Sequence, residues 1–301
     1  MSAETSGTTG KPFALLLLRA MAVLAAIVLA RLVLELSGVP HVIARYVSST
    51  VALPLVAIYV AAVGPLRGGL RKFSQHLLPA LILAAWTEGW LILVTVISAV
   101  LRLSRSHYAV SEDYGNWSHL GRHVLGHTVE IGVLFVTILL LMTVIHILWR
   151  WPVTVAPGAM LGVFVIVRFW TEAMGVEPFR AAAWSSTILV LLSAFYLGAV
   201  GAWKGLTEAR QLLAPSLVLG WVWRLWVYLA MLLAVAVPYF PTHFFDVARG
   251  HVALRLLGAL AASVVEGFLA GLIVWGIAVW IWRATQPVGV VPPGDSLGDD
   301  A

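Results

Sequence analysis

His119, His123 and His127 recur every four residues and lead into Glu130. On a helix this spacing puts three imidazoles on one stripe with a carboxylate at its end. Imidazole plus carboxylate suits zinc or another borderline divalent ion. Ligand spacing alone also fits solvated or capping histidines at a helix start. A divalent metal is thus a candidate ligand, and no other cofactor is expected. The chain has no Cys, which excludes disulfides, thiolate metal sites and Cys nucleophiles. It contains no Gly-rich phosphate loop, G-x-S-x-G turn or H-E-x-x-H motif. His146 alone lies well inside an apolar run, a poor fit to a buried bis-His haem.

A second set of polar residues is marked by duplication. Arg31, Glu35 and Ser48-Ser49-Thr50 reappear 137 positions later as Arg168, Glu172 and Ser185-Ser186-Thr187. After the third apolar segment begins the offset becomes 136, and it matches Pro79 with Pro215, His107 with His243, and Glu130 with Glu266. Chance matches of Ala, Val and Leu are expected in so apolar a chain. Matched Arg, Glu, His and Pro in register are not. Arg31/Glu35 and Arg168/Glu172 are each spaced i,i+4 and share a helix face. They read either as a duplicated polar vestibule or as a salt bridge that ties each repeat together. One aligned pair reverses sign, with Glu88 standing where the second copy has Arg224. An uncompensated charge at bilayer mid-depth costs about 2.5–3.5 kcal/mol on the insertion scale, so the two are expected to pair across the repeats.

The elements that must position these residues are membrane helices. The 301-residue chain is 61% hydrophobic and 11% charged, against roughly 25% charged for a soluble fold. Eight apolar runs, 13–36, 47–64, 76–101, 127–149, 153–170, 186–203, 213–237 and 256–282, approach the roughly 20 residues that a spanning helix needs. The first is not read as a signal peptide, because Arg19 interrupts it and its end is matched at Arg168 and Glu172. The expected fold is an all-α polytopic membrane protein with two parallel four-helix repeats, 13–149 and 153–282, about a pseudo-two-fold axis along the membrane normal. Residues 1–12 and 283–301 are polar, small and Pro/Gly-rich, and read as disordered ends. An even span count puts both termini on one side. The three Lys, all on that side, favour the cytoplasm.

The net charge of +5 is spread over the loops and points to lipid and topology rather than nucleic acid. The leading expectation is passage of a small solute or ion through a polar site between the repeats. Its residues would be Glu88, Arg224, Glu130, Glu266, Arg31, Glu35, Arg168, Glu172, His107 and His243. A metal-dependent membrane enzyme and a structural subunit of a membrane complex are the alternatives. Partners beyond the bilayer would be further copies of the chain or other subunits.

Overall fold

The computed structural model describes residues 11–204, 206, 208–236, 242–244 and 251–285. The expected disordered ends fall largely outside this range, although Lys11, Pro12, Arg283 and Ala284 lie within helices. Among the described residues there are helices and no strands. Eight segments are long and apolar enough to cross a membrane. Their principal helices are α1 (Lys11–Leu36), α2 (Ser49–Val63), α3 (Ser74–Val100), α4 (Trp117–Leu148), α5 (Val155–Ala173), α6 (Ser186–Gly201), α7 (Leu213–Ala236) and α8 (Val252–Ala284). Short helical turns, His41–Ala44 and Pro178–Ala181, precede α2 and α6. Backbone polar groups satisfied within each segment make helices the stable answer in hydrocarbon.

Ser48 starts α2 by accepting a hydrogen bond from the Thr50 amide. Asn116 starts α4 by accepting one from the His119 amide. The helix it caps begins ten residues upstream of the run expected from hydropathy, so His119, His123 and His127 are all helical. Glu130 is well inside α4 rather than in its first turn. The 32 residues of α4 extend about 48 Å at 1.5 Å per residue, more than the roughly 30 Å hydrocarbon core. The histidine stripe runs from the first turn of α4 to the level of Glu88, midway along α3.

Five helix pairs pack in the first half: α1–α2, α1–α3, α2–α3, α2–α4 and α3–α4. The corresponding five pack in the second: α5–α6, α5–α7, α6–α7, α6–α8 and α7–α8. The halves meet mainly through α2 on α5, with α4 adding to the contact. Among the described residues no comparable packing joins α6 to α1. Ile58 of α2 fits against Gly162 of α5, where an added Cβ would lie 3.0 Å from its Cδ1. The core between them is apolar, and Trp226 is its largest fully buried side chain. The Trp226 indole N–H donates to the Gly158 carbonyl. In the first half the Trp86 indole donates to the Met21 carbonyl, the position 137 residues before Gly158.

Candidate functional site: a carboxylate–histidine cluster in the α3–α4 seam

Glu88 sits midway along α3, 2% exposed. Its carboxylate lies 2.9 Å from His127 Nδ1 on α4, and the same nitrogen is 3.2 Å from the Glu130 carboxylate. The i,i+3 spacing of His127 and Glu130 brings them to one helix face, opposite Glu88. One ligand atom from each of Glu88, His127 and Glu130 falls within 4.8 Å of the others, close enough for all three to hold one cation. The cluster is not sealed, because the Glu130 side chain is 59% exposed.

The stripe above this cluster continues it toward the interface. His123 and His127 stack with ring centroids 5.3 Å apart. His123 Nδ1 lies 3.0 Å from Asp113 Oδ2, and His119 Nδ1 lies 2.6 Å from Asp113 Oδ1. Burial pushes the Asp113 carboxyl up, but hydrogen bonds from His119, His123 and the Val110 amide outweigh it and hold the group below the usual carboxylate range. Asp113, in the α3–α4 loop, thus begins a polar ladder that ends at Glu88. A cavity of about 120 Å³ lined by Arg102, Asp113 and Trp117 opens beside its upper end. At the opposite end of the same seam, His76 of α3 and His146 of α4 meet edge to face at 4.7 Å. A second cavity of about 280 Å³ reaches His146 beside Arg71 and Trp149. Along the stretch between His76 and Glu88, Ala80, Leu83 and Ala84 of α3 are buried, as are Ile138 and Met142 of α4.

The equivalent place in the second half is filled differently. Arg224 of α7 donates from Nη2 to Glu266 of α8 at 2.9 Å. Ser263, which aligns with His127, is buried, and its hydroxyl has no hydrogen-bond partner among the described residues. Here the helices also approach more closely. A Cβ on Gly220 would stand 2.2 Å from the Gly267 carbonyl oxygen. The aligned residues in the first half are Ala84 and Ile131.

The expected pairing of Glu88 with Arg224 is therefore corrected. Each finds its partner on the next helix of its own half, because α3 and α7 lie in different halves and the halves join through α2, α4 and α5. Glu88 and Arg224 thus meet their charged partners within a half, while between the halves Arg45 Nη2 donates to the Met174 carbonyl at 2.6 Å. The metal expectation also narrows: His127 reaches Glu130, whereas His119 and His123 are held by Asp113.

The matched Arg, Glu and His residues at the helix ends form two staples with the same core wiring, to which the first half adds His41 Nδ1 at 3.5 Å from Glu35 Oε1. Arg31 Nε donates to Glu35 at 3.3 Å, and Arg168 Nε donates to Glu172 at 3.1 Å. The backbone N–H of His107 donates to Glu35 at 3.0 Å, and that of His243 to Glu172 at 2.9 Å. His107 Nδ1 lies 2.8 Å from Glu35 Oε2, and His243 Nδ1 lies 2.5 Å from Glu172 Oε2. Tyr108 packs on His107 as Phe244 packs on His243. Each carboxylate ties the loop after the third helix of a half to the end of the first. Burial pushes the His107 imidazole below its usual value despite Glu35, and pushes the Tyr108 phenol up to about 12. Neither spacing nor duplication marks His76 or Asp113 in the sequence. Asp113 aligns with Arg249, so duplication does not mark it.

Comparison of the chain with protein-family models, with curated proteins and with solved structures returned no match.

Proposed function

We propose that the protein carries a small divalent cation through the membrane, using two duplicated four-helix halves, and that the ion binds at Glu88, His127 and Glu130. The observation that carries this reading is the occupant of the aligned position. In the second half a guanidinium sits on Glu266, so that carboxylate is neutralised by a fixed cation. In the first half Glu88 replaces the arginine, leaving two carboxylates and an imidazole facing one another. A low-dielectric site favours neutrality. One divalent ion balances two carboxylates, and one nitrogen with two oxygen donors suits zinc or a similar ion. The first half then holds a removable cation where the second holds a permanent one.

Passage, rather than static binding, is supported by the ladder from Asp113 through His123 and His127 to Glu88. The buried apolar residues of α3 and α4 beyond Glu88, followed by the His76–His146 pair, fit a carrier closed on one side. The two halves are read as parallel copies rotated about the membrane normal, with both termini in the cytoplasm. A two-fold relation would also bring α6 onto α1, so the one-sided α2–α5 contact favours a head-to-tail arrangement of the copies.

The test is uptake of zinc, cobalt or manganese into vesicles containing purified protein. Glu130→Gln and His127→Ala should each lower initial uptake at least tenfold, whereas Arg122→Gln should leave it within twofold. Wild-type vesicles that take up none of these ions faster than empty ones would refute the carrier reading.

A further inference from the structure

We infer that copies of the chain assemble head to tail in the membrane plane, with α6 of one copy packed on α1 of the next. The inference rests on reading the halves as duplicates and extends the one interface that joins them. In that interface α2 lies on α5. Val51, Pro54 and Leu55 of α2 are half-buried, and Ile58 is 2% exposed against Gly162. The same face of α6, 137 residues later, consists of Ile188, Leu191, Leu192 and Phe195. All four are exposed, Phe195 at 47%.

The complementary surface is bare in the same way. On α5 the side chains of Val163, Ile166 and Trp170 are half-buried. Their counterparts on α1, Ala26, Leu29 and Val33, are exposed. Each copy therefore ends in an uncovered α6 face and begins with an uncovered α1 face, and these are the second-half and first-half versions of two surfaces that already fit each other. Ala22, Ala26 and Ala30, spaced four apart on exposed α1, would let a neighbouring helix approach closely. A heterologous contact repeats from copy to copy and closes into a ring when its rotation allows. Even-numbered spans place every half in the same orientation, so such a ring lies in the membrane plane.

Because the chain has no Cys, introduced thiols report without background. Phe195→Cys and Ala26→Cys would be made as single variants, co-expressed in one membrane, and treated with a short bifunctional thiol reagent. The co-expressed variants should yield a covalent dimer, and each alone should remain monomeric. The two changes on one chain should yield a ladder of multiples. Ile58→Cys with Val163→Cys, on one chain, serves as the reference and should link internally, detected as a cross-linked peptide by mass spectrometry. If the reference links and the α6–α1 pair stays monomeric, those faces meet lipid and the assembly is refuted while the duplicated packing stands. If Phe195→Cys links to itself, the copies meet through a symmetric contact and the head-to-tail arrangement is wrong. If the reference fails to link, the half-to-half packing falls and the assembly with it.

Discussion

A carboxylate with 1% of its side chain exposed, bonded to an arginine, a backbone amide and an imidazole, has the chemistry of a staple, and Glu35 and Glu172 both have it. Glu35→Gln or Glu172→Gln should lower stability by about 1.5–3 kcal/mol, the usual worth of a hydrogen bond to a charged group, and leave ion binding unchanged. Thermal unfolding and a metal titration on the same sample would check this. Asp113 makes a pH prediction. Its folded value is lowered, so its stabilisation is complete above the unfolded carboxylate value of about 3.9 and is lost as pH falls through the lower folded value. Amide exchange in the α3–α4 loop should therefore accelerate only on acidification below about pH 4 at this group, and Asp113→Asn should remove that dependence. The i,i+4 staples were readable from the sequence because both partners lie on one helix. The cluster was not, because equal depth says nothing about which way a side chain faces around its helix. The clue was present in the persistence of Glu266, which needs a cation near its own depth. Arg224, on the preceding helix, supplies one.

Helix existence followed from apolar length, and all eight expected spans correspond to helical segments. Their ends were harder to place. The polar stripe from His119 to His127 lowers hydropathy enough to hide the first ten residues of α4, yet the Asn116 cap fixes its start. Close approach between helices also escapes a sequence reading, since glycine in an apolar run has several uses. Gly220 can take no Cβ without moving the backbone of α8. Gly220→Ala should therefore cost about 1–3 kcal/mol, the usual range for overpacking. Gly132 of α4 has nothing within 4 Å of an added Cβ. Gly132→Ala should be neutral or stabilise by up to about 1 kcal/mol through helix propensity. Unfolding of the two variants under the same detergent conditions distinguishes a locked α7–α8 seam from an open α4 face.

Across the whole molecule, the two halves share wiring at their staples and differ in the seam between their last two helices. One seam is closed by glycine packing and an arginine. The other holds a buried carboxylate, a histidine ladder and a half-exposed glutamate. The shared wiring was visible as matched residues in register. The one-sided contact of α2 on α5 was not, because α2 is almost entirely apolar around its circumference and its sequence marks no single face for packing. The most direct test of the cation site is the number of zinc or cobalt ions bound per chain by purified wild-type protein and by Glu88→Arg, measured by equilibrium dialysis with thermal unfolding as a folding check. Glu88→Arg gives the first half the guanidinium that the second half already carries. Wild type should bind one ion at this site, and Glu88→Arg should unfold at an unchanged temperature with that ion lost. A wild-type protein that binds no ion, or a folded Glu88→Arg protein that keeps it, would contradict the assignment.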